Sequence, residues 1–341
     1  MKGAPKILAI QFKYFGDAVM MIPALRAIRE HFPQSEIHLL VPAEIAPLFQ
    51  HIPWLNRVWP MPRERGSASL GKTWPIIRAL RRERFDRSVD FAGNDRGAIL
   101  SFLVGARQRL GLIVPGGFLG RRFCYNQYVQ PAPRTQHESL RLTHVVSAWD
   151  IPIPSRLEPE IGTDPALDAL AVSLLPARTI LCHIASSQPK KEWPIQYWVG
   201  FYQLATNEGY QLAFTTAIGA REQSLLAGLK KIAPTVPILP VMTDLALFLA
   251  LLKRAAVFIS GDTGPLHFAA GLGVPTISLF GPSSAEQWAP IGERHSVLTG
   301  GVCACDGNSS VCQSNNFCLT AISPERVFNC LRAILESKRQ S

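Results

Sequence analysis

The chain has 341 residues, 47% of them hydrophobic, and a formal net charge of +10. That length supports two domains of ordinary size. No run reaches the ~18–20 apolar residues of a membrane span, and seven cysteines, an odd number, fit reduced thiols better than a disulfide framework.

The charge is unevenly placed. Residues 1–160 carry 22 Lys and Arg against 13 Asp and Glu, whereas residues 161–341 carry 13 against 12. The partners open to the basic half are nucleic acid, an anionic membrane surface, or a phosphorylated or acidic substrate. No nucleic-acid module is present and the cations lack interleaved aromatics, so an anionic acceptor or membrane surface is favoured.

The short apolar run Ile7–Ile10 is too short for a signal h-region and lacks a cleavage site, which predicts a cytoplasmic chain. Lys6–Phe12 reads as the first strand, Lys13–Asp17 as a loop and Ala18–Phe32 as a helix. Asp17 then sits near the helix N-cap. It is either a capping carboxylate or a base at a strand's carboxyl end, its pKa lowered by Lys13 and the helix dipole. Ser35–Val41 is the second strand and Arg57–Trp59 starts a third. Met61–Lys72 is a polar loop containing Arg63 and Arg65. Ile76–Arg87 is a basic helix, either a solvated face or a contact for phosphates or anionic lipid. Ser88–Phe91 is a strand followed by Gly93-Asn94-Asp95-Arg96, and Val104–Leu112 is a further βα-type unit. Gly116–Arg122 (GGFLGRR) is a basic loop that offers Arg121 and Arg122 to an acceptor. This alternation predicts a parallel α/β sheet. Trp149–Pro165, rich in proline and without periodicity, reads as an interdomain linker.

In the second half, Thr179–Ile184 is a strand. The loop after it offers the hydroxyls of Ser186 and Ser187 and the cations Lys190 and Lys191 to phosphate oxygens. Gln211–Thr216 is the next strand. Beyond it, Glu222 is either an early-helix carboxylate or an acceptor of ribose hydroxyls, and Met242 is either core or a ligand contact. Asp244–Ala255 is a helix. Val257–Ser260 and Pro275–Phe280 are strands apolar on both faces. Between them Thr263 suits an N-cap and Pro265 the first helical turn, so free N–H groups and a positive dipole end form an anion site. Neither a P-loop nor a GxGxxG fingerprint is present. Cys303, Cys305, Cys312 and Cys318 follow, spaced C-x-C-x6-C-x5-C. They are either loop thiols or a tetrathiolate metal site. Pro324–Ser337 is a terminal helix, expected to pack across the domains.

Lys13, Gly16-Asp17, Pro23, Ser186-Ser187, Lys191, Trp193-Pro194 and above all the run DTGPLHFAAGLGVPTISLFGP at 262–282 resemble glycosyltransferase family 9, the ADP-heptose:lipopolysaccharide heptosyltransferases. The resemblance covers nearly the whole chain. It implies the GT-B fold, with two Rossmann-like domains facing a cleft: residues 1–160 for the acceptor and 161–341 for the nucleotide-sugar. It implies inverting transfer of a heptose from the donor substrate ADP-heptose to a lipopolysaccharide core acceptor of the lipid A–Kdo type, with no cofactor required. By position, Asp17 looks like the catalytic base and Ser186, Ser187 and Lys191 like the diphosphate contacts. Glu222 and Met242 look like the ribose and base contacts. Asp262, Thr263, Gly264, Pro265 and His267 look like the loop on the sugar and diphosphate. Lys13, Arg63, Arg65, Arg121 and Arg122 are the cations expected to meet an anionic, lipid-linked saccharide, with peripheral contact at the cytoplasmic face of the inner membrane as a further option. The sequence departs from the family at AVMMIP after Asp17, at the GGFLGRR loop and at the cysteine cluster. The last is similar in character to the metal-binding cluster of the related protein-glycosylating autotransporter heptosyltransferases. The alternatives left open are a nucleotide-sugar epimerase of the same shape, a protein O-heptosyltransferase, a non-catalytic sugar-nucleotide-binding protein and a non-specific nucleic-acid binder.

Overall fold

Short runs of Ile, Leu and Val become strands here because helices cover them on both faces, which is the environment of a parallel sheet. The computed structural model describes residues 4–62, 70–301, 303, 312 and 317–340. The chain divides into two units, Met1–Gly162 and Thr163–Ser341.

In the first unit six strands, β1 (Lys6–Ile10), β2 (Glu36–Pro42), β3 (Arg57–Met61), β4 (Arg87–Asp90), β5 (Gln108–Leu112) and β6 (Gln127–Val129), form one parallel sheet in the order β3-β2-β1-β4-β5-β6. The chain builds outward from β1 to β3 and then crosses to β4. The strand order therefore reverses between β1 and β4, and loops leaving their carboxyl ends diverge to leave a crevice. The helices are α1 (Phe15–Met20), α2 (Ile22–His31), α3 (Leu70–Arg82), α4 (Asp95–Val104) and α5 (Glu138–Val146). Ile7, Leu8, Ala9 and Ile10 are fully buried.

The single helix expected over Ala18–Phe32 is two, broken at Met21. Pro23 has no N–H to give the preceding turn, so it opens a new helix instead of continuing the old one. The basic helix runs Leu70–Arg82 and not to Arg87, because Arg84 takes a left-handed φ of 56° and turns the chain into β4. Neither β6 nor α5 was expected. The proline-rich linker begins as part of the first unit. Arg26 Nη1 donates to the Glu158 carbonyl at 3.2 Å, Ile151 and Ile161 are buried, and a Cβ at Gly162 would strike His51.

A buried carboxylate closes the carboxyl end of β4. Asp90 accepts from Tyr125 Oη at 2.6 Å and from Ala92 N at 2.9 Å. Burial raises its pKa to about 6 against the lowering effect of those bonds. A Cβ at Gly97 would collide with this carboxylate, and one at Gly111 with the Tyr125 ring. Both glycines are there for close approach.

In the second unit β7 (Ile180–His183), β8 (Leu212–Thr215), β9 (Val257–Gly261), β10 (Thr276–Phe280) and β11 (His295–Thr299) form a parallel sheet in the order β11-β10-β9-β7-β8. A bridge from Phe214 to Ile238 extends it beyond β8, so the order again reverses next to the first strand, between β7 and β9. The helices are α6 (Pro165–Leu174), α7 (Ile195–Asn207), α8 (Ala220–Ile232), α9 (Leu245–Arg254), α10 (Gly264–Gly271), α11 (Ala285–Trp288) and α12 (Pro324–Gln340). The terminal helix packs on α7, and its Val327, Phe328 and Leu331 enter the second unit's core. Among the described residues no helix is long and apolar enough to cross a membrane.

Tyr125→Phe should destabilise the protein by about 1.5–3 kcal/mol at pH 8, where Asp90 is ionised and loses a charged hydrogen bond. The loss should shrink at pH 5, below the Asp90 pKa of about 6. Urea denaturation of both proteins at the two pH values measures it.

Candidate functional site

The loops at the carboxyl ends of β7 and β9 meet at the reversal point of the second sheet, where ligands of open α/β sheets bind. Lys191, in the short 3-10 turn Pro189–Lys191 after β7, places Nζ 2.6 Å from Asp262 Oδ2 after β9. A Cβ at Gly261 would lie 2.8 Å from the Lys191 carbonyl, so only glycine lets the loops approach this closely. His267 Nε2 stands 4.0 Å from Asp262 Oδ1, and His267 is buried.

Thr263 is the N-cap of α10, with Gly264 and Pro265 in the first turn, as the sequence predicts. Its hydroxyl does not cap: Oγ1 makes no side-chain cap bond and is shielded from solvent without a partner. The same holds for the hydroxyls of Ser186 after β7, Thr216 after β8 and Ser283 after β10. A buried hydroxyl without a partner costs roughly 1–3 kcal/mol. Four of them follow four neighbouring strands at the carboxyl edge of one sheet, and Thr263 is itself at the N-terminus of α10, an arrangement suited to an anion rich in oxygen. Ser187 is exposed on the same loop.

Arg221 holds the loop in place. Its Nη1 donates to Glu192 Oε1 at 2.6 Å, and its Nη2 donates to Glu222 Oε1 at 2.9 Å and to the Ser186 carbonyl. Glu192 also accepts from Ser186 N at 3.0 Å. Glu222 lies in the first turn of α8, folded over Gly219, and Met242 is half-buried just ahead of α9, whose N-cap is Asp244. Sequence reasoning missed Arg221, Glu192, Thr216 and Ser283 as site residues. The signal for Thr216 and Ser283 was their place just past a strand's carboxyl end.

In the first unit Asp17 occupies the first turn of α1, whose N-cap is Tyr14. Its carboxylate is 3.8 Å from Lys13 Nζ. The expected lowering of its pKa is reversed. Burial raises it and outweighs the Lys13 charge, and the Glu138 carboxylate on α5 adds to the rise. Glu138 is itself buried and paired with Arg141.

Arg121 corrects another expectation. It is buried, and its guanidinium donates inward to the carbonyls of Gly93, Val114 and Gly116, with Asp95 at 3.5 Å. A planar fork of donors suits an Arg to this anchoring of the loop, and the four bonds made here turn both Nη groups inward, away from the surface position expected of them. Arg122 is exposed and lies over the Phe123 ring at 4.9 Å. Arg63 and Arg65 lie outside the described residues, as does Cys305. Cys318 sits against Gly281. Its thiol is pushed up to about 11 by burial first and then by Cys303, to which it is hydrogen-bonded, and Cys312. A separate group of potential ligand atoms, Glu36, His38 and Glu83, is already satisfied. Trp59 Nε1 donates to His38 Nδ1, which leaves the proton on Nε2 for Glu36, and Lys6 bridges the two glutamates.

Comparison with known proteins agrees with this architecture. The family model of glycosyltransferase family 9 (heptosyltransferase) matches residues 73–313. Lipopolysaccharide heptosyltransferase 2 of Salmonella typhimurium is 26% identical over 348 residues, covering 98% of this chain and 99% of its own. Among solved structures, the family 9 glycosyltransferase of Veillonella parvula superimposes with a TM-score of 0.84 at 18% identity, covering 98% of both chains. The E. coli ADP-heptose lps heptosyltransferase II does so with 0.79 at 23% identity, covering 98% and 99%. The fold is GT-B.

If the unpartnered hydroxyls serve a ligand, they contribute nothing to the empty protein. Thr216→Val and Thr263→Val should leave stability unchanged or raise it by up to about 1 kcal/mol. Thr143→Val should lower it by about 1 kcal/mol, because Thr143 Oγ1 is buried and bonded to the Ser139 carbonyl at 2.8 Å. Urea denaturation of the three variants makes the comparison.

Proposed function

The chain belongs to glycosyltransferase family 9, and from that premise we propose that it transfers a heptose from ADP-heptose, with inversion, to a hydroxyl of an anionic, lipid-linked lipopolysaccharide core. The observation that carries this reading is the Lys191–Asp262 pair at the start of α10, together with unpartnered hydroxyls just past the carboxyl ends of four neighbouring strands of the same sheet. A diphosphate offers the acceptor oxygens such a group lacks.

The second unit takes the donor. The diphosphate lies at the N-terminus of α10, accepting from Ser186, Thr263 and neighbouring hydroxyls, with Ser187 and Lys191 alongside. Lys191 has three donors. One holds Asp262 and the others remain for phosphate oxygens, so Asp262 fixes the ammonium where charge will appear. Glu222 takes the ribose hydroxyls and Met242 packs on the base. Gly264, Pro265 and His267 line the sugar side of the same loop.

The first unit takes the acceptor, with Asp17 as general base and Lys13 next to it. The acceptor hydroxyl gives its proton to the Asp17 carboxylate as its oxygen bonds to the anomeric carbon. The bond from that carbon to the β-phosphate oxygen breaks on the opposite face, and the electron pair leaves with ADP. Charge therefore grows on the diphosphate in the transition state. Lys191 and the α10 dipole oppose it there more than in the ground state, and this difference is what lowers the barrier. Burial makes Asp17 a better base than an exposed aspartate, because its raised pKa lies nearer the pH at which it works.

Incubation with ADP-heptose and a lipid A–Kdo acceptor, read by mass spectrometry, should give a heptosylated product. Asp17→Asn should lower turnover by at least about 10³-fold while ADP affinity by calorimetry stays within about twofold. The base must be ionised, and a raised pKa means protonation begins at higher pH. The acid limb of kcat/KM should therefore fall above the ordinary carboxylate range and be absent from the residual activity of Asp17→Asn. Lys191→Ala removes one cation and leaves Asp262 facing the diphosphate, so ADP should bind about 10–100-fold more weakly. Unchanged ADP affinity would remove Lys191 from the donor site.

A further inference from the structure

The loop between β5 and β6 carries features that the donor and base sites do not use. It reads Val114-Pro115-Gly116-Gly117-Phe118-Leu119-Gly120-Arg121-Arg122-Phe123. Leu119 at its tip is fully exposed, and Phe123 is 68% exposed with the Arg122 guanidinium over its ring. These side chains are not displaced by a loose backbone. Arg121 ties the loop to three carbonyls, Phe118 N donates to Asp95 Oδ1 at 3.3 Å, and Cys124 and Tyr125 are buried beneath. The loop is fixed, and its apolar tip faces water.

The neighbouring surface continues the pattern. The turn Arg121–Cys124 packs on α4, where Ile99 and Phe102, three residues apart and so on one face, are 45% and 55% exposed. Arg109 joins the two elements: its Nε donates to the Cys124 carbonyl and its guanidinium carbon is 6.0 Å from the Phe102 ring. At the far end of α4, Arg81 of α3 donates to the Leu103 carbonyl at 2.6 Å, and on the same stripe of α3 Arg78 and Trp74 are exposed. The nearby acid, Asp95, is taken up by Arg121 and Phe118. Exposed leucine and phenylalanine flanked by arginines, with little free negative charge among the described residues, is the chemistry of a surface that enters the interface of an anionic bilayer. The apolar tips leave water and the guanidiniums stay at the headgroups. An acidic protein would match such a rim as well, and the bilayer is the partner favoured here because the acceptor proposed above is lipid-linked.

We propose that the β5–β6 loop tip, with the exposed faces of α4 and α3, docks the first unit onto a bilayer containing anionic phospholipid. The proposal deepens the reading of a lipid-linked acceptor and rests on it for its purpose, though not for its geometry. One acidic substitution at Leu119 and another at Phe123 break the apolar contact without touching Asp17 or the donor loops.

The full chain should co-sediment with vesicles of phosphatidylcholine and phosphatidylglycerol, bind pure phosphatidylcholine vesicles far less, and release at high salt. Leu119→Asp/Phe123→Asp should lower partitioning onto the anionic vesicles at least about tenfold, with an unchanged thermal unfolding curve. Arg122→Glu should weaken it separately. Transfer to a delipidated, water-soluble acceptor should be the same for the double variant and the parent. Failure of the parent to bind anionic vesicles, or equal binding by the double variant, overturns the docking surface. So does a self-association that the double variant abolishes without any vesicle binding. Failure of the parent to act on the soluble acceptor while vesicle binding persists counts instead against the transferase reading.

Discussion

All strands in both sheets run parallel, and the rest of the structure depends on that constraint. A parallel ladder puts every strand-to-helix loop at one edge of the sheet, and each return helix must cover a face. Reversing the strand order next to the first strand then separates two adjacent loops. In the second unit that gap lies between β7 and β9 and is bridged by Lys191 and Asp262. In the first unit it lies between β1 and β4, and the carboxylates of Asp17 and Asp90 flank it, each raised by burial. The same arrangement thus produces a cation-and-hydroxyl site in one unit and a carboxylate site in the other. The difference comes from side chains at equivalent strand ends.

On the function proposed above, the two kinds of site solve opposite electrostatic problems. A leaving diphosphate needs donors already oriented, because reorienting them during the reaction would cost what the interaction supplies. Arg221, clamped to Glu192, Glu222 and the Ser186 carbonyl, keeps the β7 loop in its orientation. A base needs an ionisable group that holds its proton firmly enough to take one from a hydroxyl. Helix N-terminus and Lys13 alone would have weakened Asp17 in that respect. The buried setting beside α5, with Glu138 near, reverses the balance.

Much of this was legible in the chain. Val257–Phe280 reads as strand, loop, helix and strand because its apolar runs are continuous and its loop holds Gly, Asp, Thr and Pro at the positions a helix start needs, and the structure follows it nearly residue for residue. The resemblance to family 9, carried by that same run, agrees with the family match. What was not legible depends on contacts between distant segments. The sign of the Asp17 shift is set by burial, to which Glu138 on α5 adds from more than a hundred residues away, and α5 has no strong local signature. Arg121 and Arg122 are adjacent and identical in type, yet one is buried among carbonyls and the other is exposed. Only the path of the β5–β6 loop separates them. The helix break at Met21 has its local cause in Pro23, which the continuous apolar pattern around it masks.

The proline-rich run before Gly162 has a consequence for how such enzymes diversify. By composition it is a spacer. By packing it is a strap on the first unit, held by Arg26 on the Glu158 carbonyl and by the contact of Gly162 with His51. A recombination event that joined a new second unit at Trp149 would strip that strap and expose the buried Ile151 and Ile161. A junction between Gly162 and Thr163 leaves each core intact. Exchange of first units among relatives is therefore expected to leave its seams after the strap, and the strap should travel in evolution with the unit whose surface it covers.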